Sequence, residues 1–397
     1  MESGITREYE ERIFLNRLGL HVVGIWPRGK DSSALLRRVH LVFIYFLMFF
    51  VMVPQWLDMY CLWGDISAYT ETLMSNVYII ATVFKLSNFL ISAQVFEVVL
   101  KVMRTNWINT MKTRVVEDKK IMYDASARAR NYSTKYGYMT FFTAIMYMVV
   151  PIFNAGKSTR DREYPFFGRY YVDRHSDLIY GLCYLGQIVT GLIVSVANYA
   201  TDSIFLVCVY HFCGQLRILK NDLEGLGRGG DSLSAKDKLT ALIRRHQMEI
   251  RNARALQAIF SGSSLQQLLV SCLLLCANGF KLIVSLSNRD IEQLMAYVAC
   301  MPMILYQILF YCQPGNELVV VSQLLNEAIY QSSWINLEPT LARHLIFMIQ
   351  RTQKPLAITA GKIYVLSLQN FMRIVKMSMS ALSVLQAMYR KNSQKSL

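Results

Sequence analysis

Seven stretches of this chain are long and apolar enough to cross a bilayer as helices, and this limits the possible folds more than any other feature. They cover residues 40–63, 72–96, 136–153, a fourth that starts at 178, then 265–286, 294–312 and 362–388. A helix needs about 20 mostly apolar residues to traverse a hydrocarbon core of about 30 Å. Inside that core every backbone N–H and C=O must be paired within the chain, so runs of this length form continuous helices. Of the 397 residues, 53% are hydrophobic and 17% charged, with a mean hydropathy of +0.27. Soluble domains carry about 25% charged residues. With 23 Tyr, 20 Phe and 20 Met, the chain is equally unlike a disordered one. The fold class is an all-α membrane protein with seven transmembrane helices.

Loop charge sets the orientation. Lys and Arg number 28 in the N-terminal segment and the second-to-third, fourth-to-fifth and sixth-to-seventh connections, against 9 in the opposite set. Cytosolic loops carry the excess of positive charge, so the N-terminus is expected in the cytosol and the C-terminus outside. The first 39 residues hold no apolar stretch of signal-peptide length, and nothing is expected to be cleaved. The net charge of +15 then reports orientation and contact with anionic lipid heads; no nucleic-acid partner is expected. A G-protein-coupled receptor would need the reverse orientation. Its marks are also missing: no Asp/Glu-Arg-Tyr closes the third span, and no Asn-Pro-x-x-Tyr lies in the seventh. The N-x-S/T site Asn131-Tyr132-Ser133 falls on the cytosolic side, where glycosylation is not expected.

Nothing in the sequence suggests an enzyme, a metal or a cofactor. Cys208, Cys272, Cys276, Cys300 and Cys312 lie in apolar runs, where free Cys behaves as a small hydrophobe. No CxxC pair or His/Cys spacing suggests a metal site, and the six histidines are scattered. The string Gly225-Leu226-Gly227-Arg228-Gly229-Gly230 follows no strand and reads as a flexible linker, not a phosphate cradle. A transporter would show repeated halves with broken helices, and no such repeat is present.

Organisation follows from the polar punctuation. The fourth segment has Asp202 as its one acid between 178 and 216 and is too long for the core, so it projects into the cytosol. Residues 236–260 read as a basic helix leading into the fifth span. Pro314-Gly315-Asn316 marks a break or kink. An amphipathic helix over 317–334 follows, with Leu318, Val321, Leu325 and Ala328 at helical spacing. Glu338-Pro339 opens another, with Leu341, Leu345 and Met348 on one face, ending before Lys354-Pro355. Both are too polar to span, and their apolar faces must bury against each other or a partner subunit. The seventh span carries Ser367, Ser378, Ser380, Ala381 and Ser383, with Arg373 and Lys376 on one face. A cation at the membrane centre costs at least about 2.5–3.5 kcal/mol. Two readings stay open: this face meets water or protein, or the span starts near Gln369 and both cations snorkel. Lys85, in the middle of the second span, either snorkels or faces the bundle interior.

The last fifth of the chain, from Gly315 onward, resembles the insect odorant receptors. The carrying residues are Lys354-Pro355-Leu356-Ala357-Ile358-Thr359-Ala360-Gly361-Lys362, then Ser367-Leu368-Gln369-Asn370-Phe371 and the Ser/Ala/Leu-rich end. Upstream, Gly315-Asn316-Glu317-Leu318 and Ala328-Ile329-Tyr330-Gln331-Ser332-Ser333-Trp334 resemble the family's run into its last helices. Gustatory receptors share the architecture and a related Tyr-to-Gln-Phe signature. Here no Thr precedes Tyr364 and Asn370 separates Gln369 from Phe371, which favours the odorant branch.

The resemblance implies a ligand-tuned subunit, not the shared co-receptor, acting as an odorant-gated non-selective cation channel. It implies a heterotetramer with the odorant co-receptor in the plasma membrane of olfactory neuron dendrites. Its domains would be a cytosolic segment 1–39, six helices with the ligand pocket over 40–312, anchor helices over 313–361, and the pore helix with a short outer tail over 362–397. The family's pocket lies in the outer halves of spans two, three, four and six. The matching positions are Tyr78 and Thr82; Phe142, Met146, Tyr147 and Val150; Tyr184, Gln187 and Ile188; and Tyr297, Met301 and Ile304. Aromatic and Met side chains suit a small volatile, with a few polar groups to orient it. The family's gate corresponds to Val384 and Met388, i and i+4 on one helix face, where an apolar ring closes by dewetting.

Overall fold

The computed structural model describes residues 2–27, 34–62, 66–113, 115–155, 164–166, 168–170, 176–227 and 232–395. Residues 228–230 of the glycine-rich string lie outside them. Two short helices, α1 (Glu2–Arg12) and α2 (Phe14–Val22), precede α3 (Ala34–Cys61), α4 (Ile66–Ile91), α5 (Ala93–Lys112) and α6 (Val116–Ala155). Then come α7 (Asp177–Glu224), α8 (Ser232–Asn288), α9 (Ile291–Gln331), α10 (Pro339–Thr352) and α11 (Leu368–Lys395). Before α11, β1 (Thr359–Ala360) pairs antiparallel with β2 (Tyr364–Val365). Among the described residues, five helical stretches are long and apolar enough to cross a membrane: Leu35–Cys61, Thr72–Ile91, Asp177–Glu224, Ala235–Ser287 and Gln293–Gln331.

Helix α7 is the axis of the bundle. It is buried over most of its length and packs against α2, α3, α4, α6, α8 and α9. At 1.5 Å per residue its 48 residues run about 70 Å, more than twice the hydrocarbon core. Small residues allow the close approach. Gly19 of α2 lies so near Ala200 that a Cβ there would stand 2.8 Å from the alanine methyl. Beyond the apolar stretch, Glu317 of α9 is held by Arg128 of α6 (3.0 Å) and by Arg217 of α7. One carboxylate thus ties three helix extensions together.

Proline 314 does not end the sixth span. Helix α9 runs through both Pro302 and Pro314 to Gln331, so the separate helix expected over 317–334 is its tail. Proline removes one N–H and crowds the carbonyl four residues back, but neighbouring helices in a membrane bundle absorb that defect. On this tail Leu318, Val321, Leu325 and Ala328 are buried, as their spacing predicts. Helix α10 begins at Pro339 and buries Leu341, Leu345 and Met348.

Glycine 315 has a packing role, not a helix-breaking one. A Cβ there would overlap both the side chain and the carbonyl of Leu366, just after β2. The hairpin is itself seated on α8. The Gln257 side chain accepts from Thr359 N (2.6 Å) and donates to Thr359 O (3.0 Å), and Gly361 N donates to Ser261 O (2.9 Å). Gly361 and Lys362 take the left-handed backbone the tight turn needs, with φ of 59° and 63°. Because residues 359–365 form this hairpin, α11 starts at Leu368, the later of the two starts left open above. We expect Gly315→Ala to overpack this junction, a class of change costing about 1–3 kcal/mol. Thermal unfolding of the detergent-solubilised protein should show a lowered midpoint.

Candidate functional site

A cavity of about 170 Å³ lies between α4, α6, α7, α8 and α9, closed on one side by Phe166. Met74, Tyr78 and Ile79 form the α4 wall, Gly191 and Val194 the α7 wall, and Leu274 the contribution of α8. Helix α6 presents Thr140, Thr143, Ala144, Tyr147 and Met148, and α9 presents Cys300, Met303, Ile304 and Gln307. An apolar cavity of about 150 Å³ can hold benzene, so this one has room for a molecule of single-ring size. Its walls offer dispersion and desolvation, with a few polar groups. A larger cavity of about 260 Å³ sits among α1, α2, α5, α6 and α7, with Glu11, Arg12 and Arg130 in its lining. It contains none of the residues expected at the pocket.

Of those residues, Tyr78, Tyr147 and Ile304 line the smaller cavity. Tyr147 stacks on Phe166 at 5.8 Å between ring centroids. Gln187 stands behind the wall and accepts from Phe166 N (2.9 Å), holding that ring in place. Tyr184 donates to Met148 O (2.7 Å), and Ile188 packs with Tyr164, Tyr170 and Tyr184. Met301 packs beside Ile304 and Leu274. Thr82 is one turn below Tyr78 and donates to its carbonyl (2.9 Å). Tyr297 lies under Lys281, whose Nζ is 5.9 Å from the ring centroid. Phe142 and Met146 are exposed on the outer side of α6. Val384 is exposed on α11. The side chains of Val150 and Met388 lie outside the described residues.

The sequence reading missed Thr140, Gln307 and Phe166. A signal for the first was present, because Tyr136, Thr140, Thr143 and Tyr147 recur at helical spacing. That stripe faces the cavity, while the bulkier Phe142 and Met146 lie on the other side of the helix. Phe166 sits in a connection and carried no periodic signal.

Beneath the cavity is a wholly buried charge cluster that accounts for Lys85. Its Nζ donates to both oxygens of Asp202 (2.7 and 2.9 Å) and to Asn198 Oδ1 (3.0 Å). Tyr136 and Tyr311 donate to the same carboxylate, at 2.7 and 2.5 Å. Asn198 donates to Thr82 (2.6 Å), and Gln307 donates to Tyr136 Oη (3.2 Å). One cation and one anion, the carboxylate accepting from three neighbours, therefore lock α4, α6, α7 and α9 at one level. Lys85 neither snorkels nor meets lipid.

Comparison with known proteins fixes the family. The family model described as 7tm Odorant receptor matches residues 65–379. The chain belongs to the insect odorant receptor family. It is 26% identical over 295 residues to Odorant receptor 13a of Drosophila melanogaster, covering 68% of this chain and 70% of that one. It is 22% identical over 349 residues to Odorant receptor Or2 of Anopheles gambiae, covering 85% and 89%. The solved structure of the insect olfactory receptor OR5 from Machilis hrabei in complex with eugenol superposes with a TM-score of 0.81. The identity is 17%, over 96% of this chain and 98% of that one. A second solved structure of OR5 from Machilis hrabei superposes at 0.80. The receptor thus has the multi-pass membrane fold of these proteins and belongs to no enzyme family.

Breaking the buried pair should be costly and repairable. Lys85→Met strands the Asp202 carboxylate, a loss of about 3–5 kcal/mol, whereas replacing both charges by apolar side chains is often tolerated. We expect Lys85→Met to abolish most surface receptor and Lys85→Met/Asp202→Leu to restore a large part of it, read by surface labelling. Equal loss in both variants would count against an ion pair as the cause.

Proposed function

We propose that the receptor is a ligand-tuned subunit of an odorant-gated, non-selective cation channel. It works as a tetramer with the odorant co-receptor in the plasma membrane of olfactory neuron dendrites. The observation that carries this reading, beyond family membership, is the two-faced character of α11. Phe371 and Ile374 pack on the core, and Ser378 is buried against Cys272 and Cys276 of α8. The opposite face leaves Arg373, Lys376, Ser380, Ser383 and Val384 exposed. A face with two cations and two hydroxyls is a poor one to offer to lipid, since charged groups in a membrane turn to water or protein. Four such faces around one axis make an aqueous path. Val384 and Met388 near its outer end form the hydrophobic gate, and Arg373 and Lys376 lie toward the cytosolic mouth.

The rest of the molecule is apportioned accordingly. Residues 1–39 are cytosolic, 40–312 carry six spans and the pocket, 313–361 form the intersubunit anchor, and 362–397 hold the pore helix and outer tail. For the anchor, the support is unburied apolar surface at Tyr330, Ile335, Ile346 and Phe347, on segments too polar to span. The odorant occupies the 170 Å³ cavity, in contact with Tyr78, Tyr147 and Ile304. Thr82, Tyr184, Gln187, Ile188 and Met301 shape its walls from behind.

Two measurements bear on this. Co-expression with the co-receptor should give whole-cell currents to a subset of a volatile panel without added second messengers. Tyr147→Ala, which opens the stack on Phe166, is expected to shift odorant sensitivity by about tenfold or more while surface receptor falls far less. Parallel loss of both speaks against a pocket role. Separately, an epitope on the C-terminus should label intact cells and one on the N-terminus should need permeabilisation. The reverse pattern removes the pore assignment of α11.

A further inference from the structure

The hydroxyls around the cavity are mostly committed to their own helices. Ser75 donates to Thr72 O (3.1 Å), Thr143 to Met139 O (2.8 Å), Thr190 to Gly186 O (2.8 Å) and Ser195 to Gly191 O (2.8 Å). Thr140 differs. It lines the cavity at 3% exposure, and among the described residues its Oγ1 has no hydrogen-bond partner. An unpaired buried hydroxyl is a cost that a ligand oxygen placed against it would remove.

Thr140 also has a particular place in the fold. It is one helical turn from Tyr136 on α6, and Gln307 is one turn from Tyr311 on α9. Those two tyrosines are the ones that donate to Asp202. Gln307, at 2% exposure, lines the same cavity and donates to Tyr136 Oη (3.2 Å), which in turn donates to Asp202 Oδ2 (2.7 Å). On α4 and α7 the order repeats, with Tyr78 and Val194 at the cavity and Thr82, Lys85, Asn198 and Asp202 below. The cavity therefore stands directly on the cluster, and Gln307 belongs to both.

We propose that Thr140 and Gln307 form a polar floor that selects neutral volatiles carrying an oxygen acceptor, and that Gln307 couples occupancy of this floor to the Lys85–Asp202 cluster. The inference rests on the cavity being the odorant site. The ligand class is a single-ring-sized alcohol, phenol, ketone or ether. A hydrocarbon of the same shape fills the walls and leaves Thr140 unpaired. Sites built to bond a ligand oxygen discriminate against the analogue that lacks it more sharply than apolar walls discriminate by size.

The test uses matched pairs on the full receptor with its co-receptor: p-cresol and p-xylene, benzyl alcohol and ethylbenzene, acetophenone and isopropylbenzene. These are read after a wider panel has established that volatiles open the channel. In at least one pair the oxygenated member should be favoured in EC50 by about tenfold, the scale of one well-placed hydrogen bond. Thr140→Val keeps the shape, removes an unpaired hydroxyl and should fold; the preference should collapse to about one. Gln307→Met should lose the preference and also lower the saturating current per surface receptor several-fold, because it cuts the bond to Tyr136. Silence to the whole panel fails the channel reading itself. A robust panel response with no preference in any pair, or a preference that survives Thr140→Val, overturns the floor. An unchanged saturating current in Gln307→Met overturns the coupling.

Discussion

A single buried ion pair sets the internal register of this receptor. Lys85 and Asp202 are 117 residues apart in sequence and meet at 2.7 Å with side chains almost wholly removed from solvent. Taking two such charges out of water carries a desolvation cost of several kcal/mol each, and attraction repays it only with good geometry and further hydrogen bonds. Those bonds are supplied by Asn198, Tyr136 and Tyr311. An ion pair of this kind is weak support for stability in itself. It is much more demanding about arrangement, since a helix rotated or shifted by one residue would strand a charge in hydrocarbon.

That demand explains which parts of the fold were legible in sequence. Helix existence and length follow from apolar runs, so α3, α4, α7, α8 and α9 were readable. The lone charges of the second and fourth spans were readable too, as an unexplained Lys85 and a solitary Asp202. That they pair was not legible, because counted from the outer ends of their apolar runs Lys85 and Asp202 stand at different depths. The course of α9 through Pro314 was not legible, because proline's local cost is fixed by its own chemistry while its tolerance depends on neighbouring helices. Gly315 looked like punctuation for the same reason, and only the proximity of Leu366 reveals its packing role.

The pocket was half legible for a different reason. Depth along a helix can be counted from charge and orientation, and it put Tyr78, Tyr147 and Ile304 at the level of the 170 Å³ cavity. Azimuth cannot be counted that way. Large aromatic and Met side chains suit lipid as well as a cavity wall, so Phe142 and Met146 looked as suitable as Tyr147 yet lie on the outer side of α6. The hydroxyl-bearing stripe through Thr140 and Thr143 was the better indicator of the inner face. Small polar groups have reason to avoid lipid, whereas aromatic rings do not.

The size of the cavity constrains how the proposed channel can work. A ligand of roughly ten heavy atoms supplies at best about 0.3–1.5 kcal/mol per atom. Moving a two-state equilibrium from 1:99 to 99:1 needs about 5.5 kcal/mol of differential binding. Leaving either charge of the Lys85–Asp202 pair unpaired would cost about 3–5 kcal/mol more from the same binding energy. Under the proposed function, the less costly route keeps the pair through gating while weaker members of its shell exchange partners. A neutral hydrogen bond such as the one from Gln307 to Tyr136 contributes about 0.5–1.5 kcal/mol net, within reach of a volatile. On that reading the cluster is a fixed pivot beneath the ligand, and the tyrosine hydroxyls around it are the parts that a small molecule can move.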